Sequence, residues 1–548
     1  MRILLVARGP AYLPNFRPVL NALAERGHEL VVAFETQQER AAGQAALVDD
    51  LAAAHPGVAR RRAPLRRDRW RLTANHLRRG LDYLRYLEPM YRTSPQFRAR
   101  ARSRAPESAR RILGARLLRR PGARALVKRL YRHLEAAVPV PWRFERFVRN
   151  VNPDVLVVTP LISLGGSQTD FMRAARRLGI PTVAWVYSWD NLTSKGAIHE
   201  LPDRLVVWND AQRREALELH GVPLERVVVT GAQAWDHWFD WAPSTTREEF
   251  AARVGLPADR PFVLYLGSSG GGLGLEAPAV ERWIAAMHRS ELSHLSSASV
   301  LVRPHPYGAP GQWEELDRTN GEAVSVFPRA GEQPTSERAR ADFFDSIYHS
   351  AAVAGVNTSA FIESAIVGRP VLSVPSPEFE IAQTGTAHFT YFLQEGGGLL
   401  SLPGSMDEHL RELDAALASG DGFEDTRRRF LEAFVRPHGL DQPATPRVVA
   451  TVEGAAAEPP PTPPPPTTLV RVLTRLVLEA LLRVLAFEEP RDKRRSRMRR
   501  KTEKALEYLE KGAERGASRL ARRGRRHGHV VISAASRRVR ALGASPSR

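Results

Sequence analysis

The chain has 548 residues, 43% of them hydrophobic, and a formal net charge of +20. That length exceeds what one core can hold and predicts two or three domains. The apolar fraction excludes a chain disordered throughout, and the absence of cysteine excludes a disulfide framework, a thiolate metal site and a cysteine nucleophile.

The charge is unevenly placed. Lys and Arg outnumber Asp and Glu by 27 to 6 between Arg60 and Arg149, and by 20 to 5 between Arg491 and Arg548, so the remainder is acidic. Two basic appendages on an acidic core point to an anionic partner such as lipid headgroups or a polyanionic polymer. No nucleic-acid module accompanies the charge, so nucleic acid is not an expected partner. The apolar run within Met1–Arg8 is too short for a signal peptide and reads as a first strand. The expected location is cytoplasmic, peripheral on the inner face of the cell membrane.

In chain order, Arg2–Ala7 reads as a strand, and a loop carrying Asn15 and Arg17 follows. Val19, Leu20 and Leu23 keep helical spacing as far as Gly27, and Glu29–Phe34 forms a second strand. The loop lacks a Gly-x-Gly-x-x-Gly fingerprint, so dinucleotide binding of that kind is not expected. Asn15 and Arg17 would face an acceptor if the loop borders a cleft. Residues 57–149 break the strand–helix alternation. Leu77, Leu81, Leu84 and Leu87 recur at helical spacing, which predicts an Arg-rich helical insertion with a basic outer face.

Alternation resumes with Pro153–Pro160 as a strand, 167–178 as a helix and 181–187 as a strand. That strand runs directly into Ser188-Trp-Asp-Asn-Leu-Thr-Ser-Lys195, which gathers an acid, an amide, hydroxyls and an ammonium at the end of a parallel strand. Ligands bind at that end of open α/β sheets; the plainer alternative is a polar loop with a helix cap. Ser188, Trp189 and Asn191 are the acceptor-side candidates there. Two more strands, Arg204–Asp210 and Arg226–Gly231, complete a first domain over 1–245. His199 and His237 lack metal-ligand spacing and read as loop or pocket-wall residues, and the pattern loosens into a linker around Trp241-Ala-Pro-Ser244.

A second domain, 258–450, opens with Pro261–Gly274, a buried strand followed by Gly267, Ser268, Ser269 and further glycines. Bare amides in such a loop can approach a phosphate, but the Gly-Lys-Ser/Thr of a nucleotide triphosphatase is missing. Ser299–Pro306 is a strand ending in Arg303-Pro-His305-Pro, where Arg suits phosphate and His suits proton transfer. Helix 341–350 leads to a small-residue strand ending at Val356. Asn357 or Thr358 then caps a helix that Gly368 and Pro370 terminate. The first-turn amides at Thr358, Ser359 and Ala360 make an anion site, and Glu363, one turn on, could accept hydrogen bonds from sugar or ribose hydroxyls. The proline-rich run at 455–467 reads as a linker. Within the tail, 468–548, Arg471, Arg475, Glu479 and Arg483 form a polar stripe on an otherwise apolar helix. Residues 469–501 would lie on an anionic membrane surface rather than cross it; the alternative is a helix that docks on the core or on a partner.

Two strand–helix series joined by a linker, with polar strand ends facing one cleft, resemble the GT-B glycosyltransferase architecture over roughly residues 1–445. The likeness is clearest at Gly267-Ser-Ser, Arg303-Pro-His-Pro and Asn357–Pro370. It implies an α/β fold of two Rossmann-like domains facing a central cleft, with a helical basic insertion and a C-terminal helical tail. It further implies that Gly267, Ser268, Thr358, Ser359 and Ala360 hold a donor pyrophosphate and Glu363 the ribose or sugar. Teichoic-acid-type glycerophosphotransferases share a fold of this kind. Their Trp-His-Gly…Leu-Lys motif sits where this chain has Trp189-Asp-Asn-Leu-Thr-Ser-Lys195, so Asp190 stands where a histidine base would be. Non-hydrolysing UDP-N-acetylglucosamine 2-epimerases look similar overall, but their His-Glu-Asn motif is not visible. The Ser188–Lys195 motif also resembles that of bacterial surface-carbohydrate proteins described as glycosyltransferases.

The resulting expectation is a metal-independent glycosyltransferase moving a sugar from a nucleotide-sugar donor to a lipid-linked or polymeric cell-surface acceptor, with no cofactor. Asp190 is the candidate base, and Lys195, Arg303, His305 and the 358–360 amides are candidates for stabilising the departing diphosphate. A CDP-glycerol-type phosphotransferase and a non-catalytic, membrane-associated protein remain the alternatives.

Overall fold

Two wholly parallel sheets carry the chain. The first has seven strands in the order β3-β2-β1-β4-β5-β6-β7: β1 Arg2–Ala7, β2 Glu29–Phe34, β3 Val58–Arg62, β4 Val155–Thr159, β5 Thr182–Trp185, β6 Arg204–Val207 and β7 Val227–Val229. The second has five, β10-β9-β8-β11-β12: β8 Phe262–Leu266, β9 Ser299–Arg303, β10 Val324–Val326, β11 Ala352–Gly355 and β12 Val371–Ser373. This computed structural model describes residues 1–36, 42–115, 118, 120–268, 276–306, 311–319, 323–329, 331–332, 334, 336–393, 397–418, 423–458, 473–481 and 483. Residues Met1–Leu478 form one compact unit and Glu479–Arg548 another; in the second, the described residues 479–481 and 483 are helical.

The central strands are almost entirely Val, Leu, Ile and Ala because helices cover both of their faces. In each sheet the order reverses beside the first strand, between β1 and β4 and between β8 and β11. Each sheet therefore has a switch-point crevice beyond the carboxyl ends of those strands. Two Rossmann-like domains of this kind form the GT-B type fold that the sequence resembles.

Three features depart from the sequence reading. The segment assigned to the insertion begins with a strand: Val58–Arg62 pairs in parallel with β2, its arginines exposed at the sheet edge. Helix Thr445–Ala457 leaves the second domain and packs on the first, where Val448, Val449 and Val452 join the core containing Ile3, Leu5 and Val157. That helix continues through 455–457, with Ala455 buried, so the linker cannot start there. Of the tail, 473–481 and 483 are helical and the remaining residues lie outside the described ones. No helix among the described residues is long and apolar enough to cross a membrane.

The third departure concerns the insertion helices, whose basic faces turn inward as well as out. Buried Arg78 on helix Arg71–Arg85 bridges Asp170 at 2.7 Å and Glu135 at 2.8 Å. Arg66 also pairs with Asp170, and Arg173 with Glu135. Burial alone would raise the Glu135 pKa, but the guanidiniums of Arg173 and Arg78 outweigh it and hold the carboxyl at about 2. Asp82 on the same helix accepts the amides of Gly165 and Ala197, so the insertion fixes the two loops that follow β4 and β5. Gln96 reaches across to the carbonyls of Ile381 and Gly385, and Trp189 and Trp208 share a core with Phe392 and Phe434. The two domains are thus joined by side chains of both.

Candidate functional site

A cleft of about 1190 Å³ lies between the domains, and five of the sequence candidates line it. From the second domain come Ser359 and Glu363, and from the first Asn15, Arg17 and Ser188. Thr358 stands one residue before Ser359, where its Oγ1 accepts the amide of Ala360 at 3.3 Å.

The second-domain wall is built at the switch point. Strand β11 ends at Gly355, where a Cβ would lie 2.9 Å from the Phe361 ring and 3.0 Å from the Leu266 carbonyl, so only glycine lets the following turn close. The chain then starts helix Ala360–Val367, with Ser359 exposed at the cap position. Its first-turn amides supply a partial positive charge. Glu363 projects from this turn into the cleft beside Trp235. Burial pushes its carboxyl up to about 7, opposed by a hydrogen bond with the Trp235 side chain. The other oxygen, Oε2, is buried with no protein partner. A buried acceptor left unmatched is costly unless a ligand donor meets it.

The first-domain wall comes from the loops after β1 and β5. The Asn15 side chain donates to the Tyr187 carbonyl at 3.2 Å, which fixes the loop that presents Arg17. Tyr187 packs edge-on against Tyr12 at 4.8 Å and lines the cleft with Ser188.

The rest of the 188–195 motif is held by its own neighbours. Asp190 takes the Ser194 hydroxyl at 2.6 Å and the Lys195 ammonium at 3.1 Å. Burial would raise its pKa, but Lys195, His388 and the hydroxyls of Ser194 and Ser188 outweigh that and hold the carboxyl well below the usual range. A carboxylate so stabilised is a weak base, and neither Asp190 nor Lys195 is among the cleft-lining residues. Trp189 is buried against Phe392 at 4.5 Å and belongs to the core. Asn191 is buried and donates to Asp190. Asp190, Trp189 and Asn191, expected as base and acceptor contacts, are thus held among their own neighbours and do not line the cleft. The insertion reinforces this: Arg85 donates to the carbonyls of Leu192, Lys195 and Gly196, and Tyr86, Tyr91 and Arg100 cap Lys195, Thr193 and Ser194.

The other strand ends of the second domain divide in the same way. Arg303 is buried, donates to Ser346 Oγ at 2.9 Å and lies 5.1 Å from the Phe343 ring centre. Burial lowers its pKa to about 10, so it stays cationic, but it is turned into the domain. His305, partly buried, has its pKa lowered by burial. The Gly267 amide donates to the Arg303 carbonyl at 2.9 Å, and a Cβ there would meet the His305 nitrogen at 2.8 Å; this glycine serves strand packing. The Ser268 amide binds Glu276, and Ser269 lies outside the described residues. Asn357 donates to the Ala382 carbonyl at 2.6 Å and pins that segment. None of Gly267, Ser268, Arg303, His305 or Asn357 lines the cleft.

His237, Arg340, Trp235, Trp238 and Trp241 also line the cleft and were not singled out for function in the sequence. His237 sits beside Trp241, ring centres 5.4 Å apart. Burial and the cations Arg340 and Arg17 lower its pKa, which leaves a neutral imidazole at neutral pH. The available signal is the aromatic density of Trp235-Asp-His-Trp-Phe-Asp-Trp241, just before the expected linker around Trp241-Ala-Pro-Ser244. Among the described residues, no group of three or more His, Asp or Glu side chains could hold a metal ion.

Neither a family model nor a curated protein matches the chain. Several solved structures are similar to it. The UDP-GlcNAc 2-epimerase of Neisseria meningitidis bound to UDP-GlcNAc has 11% identity and a TM-score of 0.47, covering 83% of this chain and 100% of that one. A glycosyltransferase of Rickettsia africae has 9% identity and a TM-score of 0.47, covering 83% and 99%. The Anabaena protein HepE in complex with UDP has 9% identity and a TM-score of 0.46, covering 83% and 100%. Identities this low carry no residue role across.

Proposed function

We propose that the chain is a GT-B nucleotide-sugar glycosyltransferase acting on a cell-surface polysaccharide or glycolipid acceptor. The observation that carries this reading is Glu363: a carboxyl on the wall of the interdomain cleft, one buried oxygen unmatched, one turn into a helix whose cap residue Ser359 lines the same space. That pairing suits a ligand with hydroxyls beside a diphosphate. Glu363 accepts from ribose or sugar hydroxyls, while the Ser359 end of the helix holds the phosphate groups.

In the reaction, an acceptor hydroxyl oxygen attacks the anomeric carbon, the bond from that carbon to the diphosphate oxygen breaks, and the hydroxyl proton goes to a base. His237, neutral and on the cleft wall, is the base we assign in place of Asp190. Charge developing on the departing diphosphate is met by the helix dipole and by Arg340 and Arg17, which border the same cleft. The test is a screen of purified protein against nucleotide-sugars, with CDP-glycerol alongside, reading the nucleotide released and the product formed. Release from a nucleotide-sugar that falls by about a hundredfold in His237→Ala supports the assignment. Release from CDP-glycerol alone would replace glycosyl transfer with phosphotransfer.

A further inference from the structure

Insertion helix Pro121–Ala137 and the helical residues 473–478 of the tail meet at a hydrogen bond of 3.1 Å between His133 Nε2 and Thr474 Oγ1. One stripe seats the tail helix: Thr474 and Leu478, four residues apart, are buried. The other stripe, Leu473, Leu476 and Val477, stays exposed. On the insertion helix, Leu126 and Leu130 fall on the stripe that His133 continues, and they are 69% and 52% exposed. Five of the fourteen large apolar side chains exposed among the described residues thus sit on two adjoining helices. Exposure concentrated in this way marks a contact surface, whereas apolar residues scattered singly would need no explanation.

The two helices turn positive charge outward and negative charge inward. Arg129 and Arg132 are exposed, and neither makes an ion pair with another described residue. The one acid of helix Pro121–Ala137, Glu135, is buried against Arg78 and Arg173. Residues 473–478 contain no acid, and the sequence continues with 20 Lys and Arg against 5 Asp and Glu over 491–548. The face therefore joins exposed leucines to arginines with no carboxylate between them.

That combination selects a partner. A soluble polyanion would meet the arginines and leave the leucines in water. A second copy docked by the same face would set arginine against arginine, because a two-fold interface repeats each patch. The surface of an anionic bilayer satisfies both sets: leucines enter the acyl boundary while guanidiniums stay with the headgroup phosphates. We infer that this face of two helices is the surface by which the chain lies on an anionic membrane. The contact is then shared by the insertion and the tail, where residue spacing alone assigns it to 469–501. It does not depend on how the interdomain cleft is assigned.

Co-sedimentation of the full chain with vesicles tests this. Vesicles of equimolar phosphatidylcholine and phosphatidylglycerol should bind the chain at least about tenfold more tightly than pure phosphatidylcholine, and less tightly as salt rises. Leu126→Ser/Leu130→Ser on the insertion and Leu476→Ser/Val477→Ser on the tail should each weaken binding by about tenfold or more. All four side chains are exposed, so thermal melting should stay as in the parent and show each variant folded. Because the chain has no cysteine, Leu130→Cys and Leu476→Cys can each carry a single polarity-sensitive dye. Emission from both positions should shift to the blue on the mixed vesicles. No vesicle binding, parent-like binding by either serine variant, or a blue shift at only one of the two positions would each overturn the inference. A dimer in analytical ultracentrifugation that either serine variant dissolves would overturn it too, by assigning the face to a second copy.

Discussion

The loop at 188–196 and the segment at 355–363 both follow the carboxyl end of a parallel strand, and both are rich in polar side chains. They end differently. In the first, Asn191, Ser194 and Lys195 all serve the Asp190 carboxylate, the buried Asn191 Oδ1 stays unmatched but does not line the cleft, and the insertion caps the backbone carbonyls from behind. In the second, Glu363 keeps a buried oxygen with no partner and lines the interdomain cleft. Which polar strand end borders the cleft is set by the fold, and the residue types alone do not decide that.

Breaking the clamp should have the largest effect. Arg78→Ala removes a buried guanidinium shared by Asp170 and Glu135, and should cost about 3–5 kcal/mol in chemical denaturation. A loss below about 1 kcal/mol would mean that Arg66 and Arg173 carry the cluster without it.

Glu363→Gln sharpens the contrast from the other side. Its folded pKa, about 7, lies above its ordinary value of 4.5. The folded state therefore holds the proton more tightly, and the carboxyl costs stability increasingly as pH rises from 4.5 to 7 and fully above that. The variant should be more stable than the parent by about 2–3 kcal/mol at pH 8 and by little at pH 4.5. At the same time it should lose sugar transfer by at least about tenfold. A group that destabilises the free protein and is needed for turnover is what a ligand-binding carboxyl predicts. Denaturation curves at the two pH values measure the first part.

Asp190→Asn should have the smallest effect. It removes the partner of Lys195, whose side chain is 42% exposed, so solvent screening limits the loss to about 1–2 kcal/mol. Nucleotide-sugar affinity should stay within about threefold of the parent. Abolished turnover at unchanged stability would restore Asp190 as the base.

Acid should act on a third set of groups. Burial lowers the pKa of His76, His388 and His409 to about 4, against 6.5 in the unfolded chain. The unfolded state takes up these protons first, so stability should fall as pH drops from 6.5 towards 4. A flat stability profile across that window, followed by thermal melting, would contradict the burial of these rings.

Much of the fold was readable because strands covered on both faces are continuous apolar runs. Arg2–Ala7 and Glu29–Phe34 are found at the bounds the sequence gives. Strand Val58–Arg62 was hidden because an edge strand can expose its arginines and shows no apolar run. The inward turn of Arg78 and Arg85 was hidden because their partners lie 57–111 residues away in the chain. Local spacing carries no trace of such pairings. The same limit governed the site. Ser359 and Glu363 could be placed by helix-start chemistry, whereas whether Asp190, Arg303 or Asn357 is already matched depends on residues that only the fold brings near. His237 reads from the sequence only as a loop or pocket-wall residue, and the fold is what sets it on the cleft wall.

The most direct test is calorimetric titration of a nucleotide-sugar panel into the full chain and into Glu363→Ala. At least one nucleotide-sugar should bind the parent and lose about tenfold or more in affinity with the variant, while Asp190→Asn binds as the parent does. Equal binding by the parent and Glu363→Ala, or no binding by any member of the panel, would contradict the assignment of the cleft.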